Sequence, residues 1–236
     1  TTSIEEYILI KEKGMKIKAL IASLLLVSVT ANAQFGGLSS LAGGKESNDQ
    51  AENGVSAEES QEALVQTFVE TLTLVMTAQQ LLQGALGNSE EAASLQLSID
   101  ELSGDCPKEC LDRTVQISSS ASASIQEKIE AQESLEADKK ELYIAAIPSY
   151  IQGTLKAKDL ATDTAEWSKQ SLAEIKEAGV MGAGKMRSKL EIGTFVASNI
   201  PTLVKRWGES TSLVLSFAKS NDISLDSMEG VNDFSF

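Results

Sequence analysis

The chain has 236 residues, with 20 Lys and Arg against 34 Asp and Glu, no His and two Cys, for a net charge of −14 and a pI near 4.5. That balance repels nucleic acid and anionic surfaces, so no nucleic-acid partner is expected. Without His, Ser-His-Asp and Cys-His catalysis and the commonest general base are lost, and two Cys fall short of a four-ligand structural zinc site, so the chain reads as non-enzymatic, with no metal and no cofactor.

Residues 1–14 (TTSIEEYILIKEKG) look like neither signal nor domain and read as an upstream extension before Met15. Residues 15–33 (MKIKALIASLLLVSVTANA) have the plan of a secretory signal peptide. A positive start at Met15, Lys16 and Lys18 leads into an apolar run from Ala19 to Val29, and Ala31-Asn32-Ala33 supplies the small residues of a cut between Ala33 and Gln34. The run is shorter than the roughly 20 residues that span a bilayer. The mature chain is therefore expected in the periplasm or outside the cell, with no stable membrane span. Removal of residues 1–33 takes away four lysines and three glutamates and makes the chain slightly more acidic. Residues 34–54 are rich in Gly, Ser, Asn and charge and read as a flexible leader.

From residue 55 to 220 the pattern predicts a single all-α domain, an elongated bundle of five or six helices. Ser56-Ala57-Glu58-Glu59 is a capping box that opens the first helix. Leu64, Val65, Phe68, Val69, Leu72, Val75, Met76 and Leu82 recur three and four apart, which makes one apolar face. Its span, Leu64 to Leu86, is the most apolar helical stretch after the signal. Glu70, Gln66, Gln79, Gln80 and several Thr make it amphipathic, so it reads as a core helix rather than a membrane-active one. Gly84, Gly87 and Asn88 stop it. A shorter helix from Ser89 carries Leu95, Ile99 and Leu102 and ends at Gly104.

Cys106 and Cys110 are the only cysteines. With Cys106 as cap and Pro107 in the first turn, they lie about one turn apart, with Cα atoms roughly 6 Å from each other at ~1.5 Å of rise per residue. Export to an oxidising compartment makes a Cys106–Cys110 disulfide the expected state, closing a very small loop. The C-x3-C spacing departs from the C-x-x-C of thioredoxin-like redox motifs.

The helix that Pro107 opens carries Leu111, Val115, Ile125 and Ile129 and runs through SSSASAS (118–124) to an expected kink or end at Pro148. The small residues of that stretch suit close helix approach, and an exposed polar turn is the competing reading. The next helix bears Ile151, Leu155, Leu160, Trp167, Leu172 and Ile175. Residues 179–186 (GVMGAGKM) nearly spell the phosphate loop GxxxxGK[ST], but Met186 replaces the metal-binding hydroxyl and a helix, not a strand, precedes it. The stretch reads instead as a glycine break, with Gly179, Gly182 and Gly184 as a candidate hinge. Helices are expected over 185–199 and 201–220, followed by a loose acidic tail over 221–236.

The function expected from these features is a non-enzymatic exported helical protein that acts through contacts with a protein partner or with itself. The alternatives are a carrier of an apolar ligand, held between the Leu64–Leu86 helix and the Trp167 and Trp207 helices, and a membrane-active helical toxin. Carboxylate pairs such as Glu58/Glu59, Glu90/Glu91 and Asp100/Glu101 look like solvated surface.

Overall fold

The computed structural model describes residues 55–132 and 134–235. The expected extension at 1–14, the expected signal peptide at 15–33 with its Ala33–Gln34 junction, and the expected leader at 34–54 lie outside the described residues. Within the described residues the fold is all-α: six α-helices and one 3-10 turn, with no strand. They are α1 (Ala57–Ala85), α2 (Ser89–Leu102), α3 (Lys108–Ala131), α4 (Lys140–Glu177), α5 (Gly179–Lys189) and α6 (Glu191–Ser220), and the turn covers Val231–Asp233.

Helix α1 starts where its capping box places it. Ser56 Oγ accepts from the Glu59 amide at 3.2 Å, and Glu59 Oε2 accepts from the Ser56 amide at 2.9 Å. The Ser56 amide, and then Ser56 Oγ donating to the same Oε2 at 3.0 Å, hold the Glu59 carboxyl below its usual range. At its far end the Asn88 amide reaches the Gln83 carbonyl at 2.8 Å while Gly87 takes φ +81°, a left-handed cap that favours glycine. The expected apolar face is buried: Leu64, Phe68, Leu72, Val75, Met76 and Leu82 all belong to the core. The most extensive helix pairing is that of α1 with α4, and α6 packs along α4 beside it. Gly153 sets the closest approach of α4 to α1, because a Cβ there would lie 2.7 Å from Val75 Cγ2 and 3.2 Å from the Val75 amide nitrogen.

Three boundaries differ from the sequence reading. The long helix after Pro107 ends at Ala131, and α4 then runs from Lys140 straight through Pro148. The connection is pinned by buried Leu135, whose amide donates to Asn221 Oδ1 at 2.6 Å. Likewise α6 runs through Pro201, and the break comes earlier, at buried Leu190. Both prolines sit on the solvent side of their helices. Water can serve the carbonyls left without an amide partner, while Ile147 and Tyr150 in α4 and Ile200 and Leu203 in α6 hold the core side in register.

The third correction concerns the tail, which is docked rather than loose. Ile223 and Leu225 are buried, and Val231 and Phe234 pack against the core. Asp222 (φ +59°) and Gly230 (φ +80°) make the turns, and Gly230 lies so close to Ile151 and Leu155 that a Cβ would come within 2.8 Å of both side chains. Lys158 Nζ sits 4.7 Å from the centre of the Phe234 ring.

Candidate interaction site

Cys106 and Cys110 are joined as a disulfide, with Cα atoms 5.3 Å apart. Pro107 itself occupies the cap and the helix begins at Lys108, one residue later than the spacing suggested. The bond staples the α2–α3 turn to the first turn of α3, next to an ion pair between Arg113 and Glu101 at 2.7 Å.

The small-residue stretch at 118–124 serves the interior. Ser118, Ala121 and Ser122 are buried, and Gln79 of α1 meets them. Gln79 Nε2 donates to the Ser118 carbonyl at 2.9 Å and to Ser122 Oγ at 2.8 Å, while Gln79 Oε1 accepts from Ser118 Oγ at 3.0 Å. Trp207 Nε1 donates to the same Ser118 Oγ at 3.2 Å. Fully buried Tyr150 completes the layer near Gln79, Ser122 and Ser210, and burial pushes its pKa up despite those polar neighbours. Its hydroxyl, Ser210 Oγ and Gln83 Oε1 close no hydrogen bond of good geometry. Gln79, one of the polar residues that make the helix amphipathic, is fully buried rather than on the solvent side. Its spacing from Met76, Gln83 and Leu82 was the available signal, because those positions share one helical face.

The two tryptophans act as ties between helices. Trp167 Nε1 donates to the Ala57 carbonyl at 2.9 Å, and its ring lies against Gly193 of α6, where a Cβ would come within 2.4 Å. Trp207 is committed to Ser118. Among the described residues no group of three or more Cys, Asp and Glu is placed to hold a metal ion, and no helix is long and apolar enough to cross a membrane.

The glycine stretch is helical. Gly179 takes φ +64° where α4 gives way to α5, whereas Gly182 and Gly184 lie inside α5. The change of direction therefore rests on Gly179 alone among the three hinge candidates. Residues 179–186 form a helix that follows a helix, so the near-match to a phosphate loop has neither the loop nor the preceding strand.

Helix α5 is unlike the other five in having no buried residue. Val180 and Met181 at its start are 97% and 98% exposed. Its charges are all positive: Lys185, Arg187 and Lys189. Lys189 pairs with Glu58 at 2.6 Å, and Lys185 and Arg187 are in none of the ion pairs among the described residues. The helix is fixed at one end of the bundle by that pair and by Gln61 Nε2, which donates to the Lys189 carbonyl at 3.1 Å. On an acidic protein, it is a basic tip that carries two bare apolar side chains. Comparison with known proteins gives no family model, no curated protein and no solved structure that matches the chain. The site is thus read from its own chemistry.

Proposed function

We propose that this is an exported, non-enzymatic helical protein that works through protein–protein contacts, and that α5 is the contact element. One observation carries the reading: a whole helix with no buried side chain presents Val180 and Met181 to solvent beside Lys185 and Arg187. Contiguous bare apolar surface rimmed by polar residues is a mark of an interaction site. The basic charge adds attraction toward an acidic partner surface. The Cys106–Cys110 disulfide suits a periplasmic or extracellular setting, where such bonds persist.

The test is a photo-cross-linking amino acid placed at Val180 and, as a control, at exposed Glu127 of α3. Irradiation in the native host is expected to give a discrete higher-mass product from position 180 only. Absence of that product, or equal yield from both positions, overturns the reading.

A further inference from the structure

The tip has a chemical complement elsewhere on the same chain. Helix α2 carries Glu90, Glu91, Asp100 and Glu101 and no basic residue. Leu97 stands 68% exposed among them. At 100° per residue, Glu90 and Asp100 fall on the Leu97 side of the helix, seven residues before and three after it. On α5, Val180, Gly184 and Arg187 share a face by the same rule, while Met181 and Lys185 lie about 100° and 140° round the helix from Val180. Each helix thus offers an apolar patch flanked by charge, and the two charges are opposite.

The two patches lie at opposite ends of the bundle. Lys189 binds Glu58 at the start of α1, while α2 lies along the end of α1, where Gln80 Nε2 donates to Gln96 Oε1 at 2.8 Å and Gln83 Nε2 to Glu91 Oε2 at 2.5 Å. Glu58 and Gln80 are about 33 Å apart along the α1 axis at ~1.5 Å per residue. One molecule therefore cannot bring its own two patches together, but two molecules can.

We infer that the partner of the α5 tip is a second copy of this chain, with Val180 of one molecule on Leu97 of the next and Arg187 against Glu90. Val180 and Arg187, like Leu97 and Glu90, are seven residues apart on one face of their helix, and Lys185 and Asp100 add to the opposed local charge. This rests on the reading of α5 as the contact element and names what it contacts. The contact is heterologous, so each copy keeps one free patch and the association runs head to tail into a ring or an open filament. The net charge of −14 opposes crowding of copies. At physiological ionic strength that repulsion is screened beyond about 8 Å, whereas the opposed charges of the contact lie within that range.

The test uses the full chain in two charge-reversed forms, one with Lys185→Glu and Arg187→Glu, the other with Glu90→Lys and Asp100→Lys. All four positions are exposed; Asp100 also accepts from Gln96 Nε2 at 2.8 Å within α2, and Glu91 and Glu101 are left intact because they hold Gln83 and Arg113. Circular dichroism verifies the fold, and any contribution of residues 1–54 is common to all forms. Sedimentation of the wild type is expected to show a weight-average mass that rises with concentration past that of a dimer. Each reversed form alone is expected to lose that rise by tenfold or more in concentration. Their equimolar mixture is expected to regain it, because each then meets its opposite. The proposal is overturned if the wild type stays monomeric, if the reversed forms associate as it does, or if mixing restores nothing. It is also overturned if the wild-type tip binds phosphatidylglycerol vesicles while self-association is absent. A cross-link from position 180 to a different protein, with no rescue on mixing, defeats the second-copy assignment and leaves the contact role of α5 standing.

Discussion

Gly153→Ala probes the contact on which the bundle depends most. Alanine in mid-helix is favoured over glycine by about 1 kcal/mol from propensity alone, so on a free surface the change stabilises. At position 153 the new Cβ would sit 2.7 Å from Val75 Cγ2, 3.2 Å from the Val75 amide nitrogen and 3.3 Å from Leu74 Cβ. Val75 is fully buried, its β-branched side chain has one favoured rotamer in a helix, and its amide is fixed in α1. Relief requires α4 to move off α1, and overpacking of this kind costs about 1–3 kcal/mol. The net expectation is no gain and a loss of up to about 2 kcal/mol, which in a domain of this size lowers the melting temperature by up to roughly 8 °C. Gly208→Ala in α6 is the matched control, since a Cβ there meets nothing within 4 Å and the propensity gain stands alone. Val75→Ala added to Gly153→Ala is expected to return part of the loss, a coupling that a double-mutant cycle reads directly. If Gly153→Ala stabilises the protein as much as Gly208→Ala does in thermal denaturation, the packing described for α1 and α4 is wrong.

Other consequences follow from the polar interior, the tyrosines and the disulfide. Gln79→Leu removes the bonds to the Ser118 carbonyl, Ser118 Oγ and Ser122 Oγ, leaving Ser118 Oγ only the bond from Trp207, and is expected to cost about 1–3 kcal/mol, seen as a lower urea midpoint with an unchanged slope. Burial pushes the pKa of both Tyr143, whose hydroxyl donates to the Val214 carbonyl, and Tyr150 above the usual tyrosine value. Both are neutral in the fold and ionise first in the unfolded chain, so their contribution to stability is complete below about pH 10 and declines as pH rises past it. Alkaline absorbance titration is expected to show these two tyrosines ionising together with loss of helix, and smooth ionisation in an intact fold would refute their placement. Reduction of Cys106–Cys110 opens a loop of only about five residues, for which chain entropy sets a loss near 2 kcal/mol and no more, so the reduced protein should remain folded by circular dichroism.

What could be read in advance was local. The Ser56–Glu59 capping box, the apolar face from Leu64 to Leu82 and the one-turn spacing of Cys106 and Cys110 each depend on residues within a few turns of one another. What could not be read depends on distant partners. Pro148 and Pro201 were expected to interrupt their helices, but whether a proline breaks a helix depends on which side faces water and on how the flanking residues are held. Ile223, Leu225, Val231 and Phe234 have no helical spacing, so their docking on the core is invisible without Ile151 and Leu155 in place. Burial of Gln79 depends on Ser118 and Ser122, some forty positions away. The tip was hidden for the opposite reason: Val180 and Met181 look like core residues beside a glycine break, and only the fold shows that no neighbour covers them.

The central claim is that α5 meets a protein surface where the chain works, and methionine oxidation measures this most directly. Met181 is 98% exposed and Met76 is fully buried, so brief peroxide treatment of dilute purified protein should oxidise Met181 readily and spare Met76. The account predicts that Met181 becomes several-fold slower to oxidise in the compartment where the host places the protein, with Met76 unchanged as the internal reference. Equal oxidation of Met181 in dilute solution and in place would contradict it.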